Sequence, residues 1–154
     1  MPEKNQGRSM KEVRIYLYST VKGTREQRGA YTYILETETN KGPATISKTE
    51  KVEKMTNHKC VLTALAAALG RISQHSYLII YTDSSFVAVN TKDSLFKWKK
   101  NGWKTARGEQ VKHLEEWQEI EQLIKPHSFE FLVNIEHSYY QWMKMESEKA
   151  AKCI

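Results

Sequence analysis

The sequence predicts an α/β domain in which a mixed sheet carries helices on its faces. Three observations point there. Val13 to Ser19 and Ala30 to Glu36 are rich in β-branched and aromatic residues, alternate in part, and are joined by a charged connection bounded by Gly23 and Gly29, as paired strands are. An apolar run from Leu78 to Tyr81 carries Asp83 out at its carboxyl end, where open α/β sheets place their ligands and catalytic groups. Elsewhere apolar residues recur at three- and four-residue steps, the period of an amphipathic helix.

Each element follows in order. Ala44 to Val52 is a third strand after the Asn40-Lys41-Gly42-Pro43 turn. Thr56 or Asn57 caps a helix whose apolar face runs through Val61, Leu62, Leu65, Ala68, Leu69 and Ile72. Gly70, interior to this helix, marks a close packing point, the onset of fraying, or a tolerated glycine. Past Asp83, Ser84 or Ser85 caps a short helix through Val89, and a second short helix covers Ser94 to Lys100. From Val111, the residues Leu114, Trp117, Ile120 and Ile124 trace a four-turn helix that stops before Pro126. Phe129, Phe131 and Val133 alternate as a fifth strand, and a last helix runs from about Tyr139 to Lys152. A meander followed by helical crossovers makes a mixed sheet.

At 154 residues and 40% hydrophobic content the chain suits one core. Residues 1–10 read as a loose tail and 11–154 as a single domain. The formal net charge is +6, and Thr91 to Lys112 alone carries a net +5, so a polyanionic partner is expected. Within that segment, Trp98-Lys99-Lys100-Asn101-Gly102-Trp103-Lys104 combines charge for phosphates with flat rings for a nucleic-acid surface. Cys60 and Cys153 have no metal-ligand spacing and no framework of further cysteines, which fits a reduced, cytoplasmic setting. No segment approaches the roughly 18 to 20 apolar residues of a membrane span, so no membrane partner is expected.

From Val13 to Lys149 this order resembles the type 1 ribonuclease H family. The Tyr81-Thr82-Asp83-Ser84 strand end, the Trp98-Lys99-Lys100 and Gly102-Trp103-Lys104-Thr105 elements, and the helix with Val111, Lys112, Leu114 and Trp117 match in order and spacing. The resemblance implies a five-stranded sheet, three antiparallel strands then two parallel, flanked by helices. It also implies cleavage of the RNA strand of RNA–DNA hybrids by four acidic side chains holding two divalent metal ions, with Mg²⁺ or Mn²⁺ as cofactor if activity is kept. Hard cations need such oxygen-rich clusters. Here Tyr18 stands at the first acidic position and Val61 at the second, while Asp83 is the third and Glu146 the fourth, with Glu148 as the alternative register. The family's mobile histidine corresponds to His137, with Glu136 at the ungapped position. Lys97, Lys99, Lys100 and Lys104 fall on the family's basic protrusion, Trp98 and Trp103 on its tryptophans, and Thr56 and Asn57 on a pair that approaches phosphate and 2′-OH groups.

The expected function is therefore a nucleic-acid-binding domain for RNA–DNA hybrid or duplex with hydrolysis impaired or absent. One alternative is an active metal-dependent endoribonuclease with a rebuilt site drawing on Asp83, Glu146 and Glu136. Another is a protein-interaction domain that kept the fold and lost nucleic acid. Asp83 also fits a simple helix cap, and Trp98 and Trp103 also fit core packing.

Overall fold

The computed structural model describes residues 10–153, so the expected tail lies outside the described residues except for the exposed Met10. Strand β1 (Lys11–Ser19) pairs antiparallel with β2 (Gln27–Thr39), which pairs antiparallel with β3 (Gly42–Met55). On its other side β1 runs parallel to β4 (Ser76–Thr82), and β4 parallel to β5 (Ser128–Val133). The sheet order is β3-β2-β1-β4-β5, three antiparallel strands then two parallel. Helix α1 (Asn57–Leu69) links β3 to β4. The helices α2 (Ser85–Asp93), α3 (Leu95–Lys100) and α4 (Leu114–Ile124) join β4 to β5, and α5 (Tyr140–Lys152) follows β5.

Central β1 is buried on both faces, from Ile15 through Ser19 without a break. Alternation sends Val13, Ile15 and Leu17 into the larger core with Tyr33, Leu35, Leu78 and Ile80. There they meet Leu62 and Leu65 of α1 and Trp117, Ile120 and Ile124 of α4. Each fully buried aliphatic side chain contributes about 1.5–3 kcal/mol. The opposite face carries Tyr16, Tyr18 and Ile34 against Met143 of α5. Polar contacts fix α5 there: the Thr32 hydroxyl lies 2.7 Å from that of Thr49 and 2.6 Å from that of Ser147, so β2, β3 and α5 share one buried junction.

The strand and helix assignments agree with the expected order, with shifted ends. Thr56 caps α1, its hydroxyl accepting from Lys59 N at 3.3 Å. Helix α4 begins at Leu114 rather than Val111, because His113 adopts φ +61° and the chain cannot wind helically through it. Gly70 is a right-handed C-cap whose added Cβ would meet only Ala66 and Ala67 carbonyls at 3.5 and 3.6 Å, which supports plain tolerance.

Gly29 is different. At the β2–β3 register shift, a Cβ there would stand 2.6 Å from both Thr20 Oγ1 and Val21 Cγ2. Gly29→Ala should therefore cost about 1–3 kcal/mol by overpacking, whereas Gly70→Ala should be neutral or stabilise by about 0.4–1 kcal/mol. Urea unfolding of the two variants checks the contrast.

Candidate functional site

The parallel register Ile15↔Ile80, Tyr16↔Tyr81 brings the carboxyl ends of β1 and β4 together, so Tyr18 and Asp83 emerge side by side. A cavity of about 250 Å³ opens between them, lined by Tyr18, Lys22, Asn57, Val61, Asp83 and Ser84 among others. Of the sequence-predicted residues, Tyr18, Val61, Asn57 and Asp83 thus meet at one place. Tyr18 and Val61 are each 6% exposed. Burial first, then Tyr140, Glu148 and Asp83, push the Tyr18 phenol up to about 12, so it is neutral at physiological pH. The cap of α2 is Ser84, whose hydroxyl accepts from Val87 N at 3.1 Å, and this leaves the Asp83 carboxylate exposed at the cavity rim.

On the far side of Asp83 lies a wider groove of about 500 Å³, lined by Asp83, Asn134, Glu136, His137 and Tyr140. The Tyr140 hydroxyl donates to Asp83 Oδ2 at 3.4 Å and closes one flank. His137 packs among Tyr16 (4.6 Å), Tyr81 (5.4 Å) and Tyr140 (6.0 Å), and its Nδ1 accepts from Tyr139 N at 3.2 Å. Burial lowers its pKa and nearby Asp83 opposes that shift, so the ring is held as a neutral packing element of this wall. Tyr16 and Tyr139 both donate to Glu36, at 2.9 and 2.5 Å, and Arg14 approaches the same carboxylate at 3.7 Å.

The buried Ser147 fixes the rotation of α5 and separates its two candidate acids. Glu146 turns to Lys149 at 3.8 Å. Glu148 pairs with Lys144 at 3.7 Å, and its charge is the one from α5 that acts on the Tyr18 and Tyr140 phenols. Among the described residues no group of three or more His, Cys, Asp or Glu side chains is placed to hold a metal ion. A neutral phenol, a valine methyl pair and one carboxylate do not fit the oxygen-rich, anionic cage that paired Mg²⁺ ions require.

The basic segment is a built hairpin. Trp103 N donates to Trp98 O at 2.7 Å and Gly102 N to Lys99 O at 3.3 Å, with Gly102 at φ +68°, which together close α3 with a Schellman motif. Both tryptophans are half-buried against the core, Trp98 meeting Trp117 edge-on at 5.4 Å, so they support the hairpin from beneath. Lys97, Lys100 and Lys104 are exposed and make no ion pair among the described residues. Lys99 is committed elsewhere, 3.4 Å from both oxygens of Glu121, whose side chain is 4% exposed. Thr56 and Asn57 also have structural work: besides the cap, Asn57 Nδ2 donates to Val21 O at 2.8 Å and holds the β1–β2 turn. That turn delivers a residue the motif spacing did not single out, Lys22. Its one sequence signal is its position four residues after Tyr18, on the loop leaving the same strand end.

A model of the family described as RNase H matches residues 10–138, ending just before α5. A ribonuclease H from Clostridium botulinum is 35% identical over 137 residues, 84% of this chain and 86% of that protein. One from Caldicellulosiruptor saccharolyticus is 35% identical over 81 residues, and the match spans only 55% of that protein. Among solved structures, LC9-RNase H1, a type 1 RNase H with the type 2 active-site motif, superposes with a TM-score of 0.73 at 17% identity, over 93% of this chain and 73% of that one. A foamy viral protease-reverse transcriptase in complex with RNA/DNA hybrid superposes with a TM-score of 0.66 at 13% identity, over 94% of this chain and 20% of that one.

Removing the Lys99 ammonium leaves a buried carboxylate without its partner. Lys99→Met should cost about 1–2 kcal/mol, less than a fully buried pair because the lysine is half-exposed, and Glu121→Gln in the same chain should recover most of it. Lys100→Met should leave the urea midpoint unchanged. Acid should also weaken the fold, since burial lowers the pKa of His58, His113, His127 and His137. The unfolded chain then binds protons first, near its ordinary value of about 6.5. Stability is therefore full above that value and falls as pH drops through it. Unfolding curves at about pH 7.5 and about pH 5 should show the loss, and His137→Gln should shrink it.

Proposed function

Because the chain belongs to the ribonuclease H family, we propose that it binds RNA–DNA hybrid or a related duplex and hydrolyses it weakly or not at all. Residues 11–154 act as one domain in this reading. The observation that carries it is a contrast within one molecule: the strand-end cavity has a single carboxylate at its rim, while the hairpin beside α4 keeps Lys97, Lys100 and Lys104 exposed. Those three lysines supply phosphate contacts, and counterion release from the duplex drives association. Asn57 lines the cavity from the start of α1, and with the neighbouring Thr56 would approach a sugar edge of the duplex. A related fold engaged with RNA/DNA hybrid supports the choice of ligand. Two-metal hydrolysis needs cations clamping both the attacking and the leaving oxygens. With Tyr18 and Val61 in place of acids, Asp83 has no partner carboxylate in the cavity for that task.

A second reading draws on the groove that Asp83 shares with Glu136 and His137. There a single Mg²⁺ or Mn²⁺ would be held without Tyr18 or Val61, with Glu146 or Glu148 supplying further charge from α5.

One labelled hybrid separates the readings. Binding should persist while cleavage in Mg²⁺ or Mn²⁺ stays at the level of Asp83→Asn, and affinity should fall with salt at a log–log slope at least as steep as about −3, the share of the three hairpin lysines. Charge reversal at Lys97 and Lys100 together should lower affinity at least about tenfold. Cleavage abolished by Asp83→Asn would establish the rebuilt site instead. Absence of both binding and cleavage would sink both readings and leave the fold to a protein partner.

A further inference from the structure

Lys22 sits in the turn that leaves β1, and two contacts hold its ammonium at the mouth of the strand-end cavity. Nζ donates to Ser19 O at 3.2 Å and lies 5.1 Å from the centroid of the Tyr18 ring. The turn itself is fixed by Gln27 Nε2 donating to Lys22 O at 2.8 Å, and by Asn57 from α1. The ammonium is exposed, makes no ion pair among the described residues, and keeps donors free after its bond to Ser19. Beside it, Asn57 Nδ2 retains a second N–H and the Ser84 hydroxyl can still donate, since its cap bond uses the oxygen as acceptor.

The charge balance of the cavity follows. A cluster of four carboxylates repels a phosphate until cations are bound, whereas the described lining of this cavity holds one positive group, Lys22, and one negative group, Asp83, with the Glu148 carboxylate acting on Tyr18 from α5. Its volume of about 250 Å³ is several times the ~30 Å³ share of one water, which leaves room for a phosphate and part of its sugar. An ammonium and two neutral donors in the lining of one cavity supply hydrogen bonds suited to phosphate oxygens, charge-assisted from the ammonium.

We propose that this cavity is a metal-independent subsite for one backbone phosphodiester, with the Lys22 ammonium taking the electrostatic place that cations hold in an acidic cluster. The proposal rests on the hybrid-binding reading above. Asp83 then works against binding, because its carboxylate competes with the phosphate for Lys22. That sign is opposite to the one a metal-ligating Asp83 would give.

The test measures affinity for a labelled RNA–DNA hybrid across a salt series, in EDTA and in Mg²⁺, for the wild type, Lys22→Met, Lys22→Arg and Asp83→Asn. Wild-type binding should be retained in EDTA and should not tighten in Mg²⁺, which competes for the phosphates as a counterion. Lys22→Met should weaken binding by about fivefold to tenfold and lower the salt slope by about one unit, the signature of one lost phosphate contact. Lys22→Arg should restore both, and Asp83→Asn should bind as tightly as wild type or tighter. Wild-type affinity and slope in Lys22→Met, a requirement for Mg²⁺, or weaker binding by Asp83→Asn would each overturn the subsite while leaving hybrid binding intact. A wild-type protein that binds in neither buffer would overturn the hybrid-binding reading and the subsite with it.

Discussion

A strand buried on both faces tolerates a charge only where partners neutralise it, and β1 is such a strand. Glu36, on the α5 side of the sheet, shows what a buried carboxylate demands: two phenol donors, Tyr16 and Tyr139, and the guanidinium of Arg14. No such set surrounds the end of β1. A tyrosine there buries a ring and keeps its proton, so the end of β1 carries no charge of its own to be neutralised. The same ring then serves as the floor on which the Lys22 ammonium rests.

The aromatic layer on that face follows from the same constraint. Tyr16 stacks on Tyr81 at 4.5 Å, Tyr18 meets Tyr140 edge-on at 5.4 Å, and His137 fills the space between the tyrosines of β1 and those at the start of α5. Rings fill the volume between the sheet and α5 on this face. The Thr32–Ser147 contact then sets the rotation of α5, which is why neighbouring acids on one helix meet different surroundings.

Much of this was legible in the sequence, for identifiable reasons. The order of elements and the strand ending at Asp83 could be read because β-branched runs and helical periods are local signals, and the predicted β1–β5 and helices all appear with ends moved by a few residues, while the pairing of those strands came through the resemblance. The start of α4 was not legible, since the left-handed backbone of His113 leaves no compositional mark. Nor was the division of labour among the hairpin lysines. Lys99 and Lys100 look alike in sequence, and only the packing of α3 on α4 shows that one faces a buried carboxylate. Tyr18, Val61 and Asp83 meet because of the β1–β4 register and the placement of α1, which spacing approximated through the resemblance. Lys22 escaped notice because a lone lysine in a charged turn is indistinguishable from its neighbours until the turn is folded back onto a ring.

Helix α4 carries Glu115, Glu116, Glu119 and Glu121 and no basic residue, yet it lies directly against the hairpin. Glu121 is buried against Lys99 and Glu116 is half-buried beside Lys59, so Glu115 and Glu119 are the exposed acids that stand within a helix diameter of the hairpin lysines. A polyanion approaching this face is turned as much as it is drawn, its axis swung toward the hairpin and away from α4. In the hybrid-binding reading proposed above, the acidic helix would narrow the angles at which a duplex could reach the hairpin lysines.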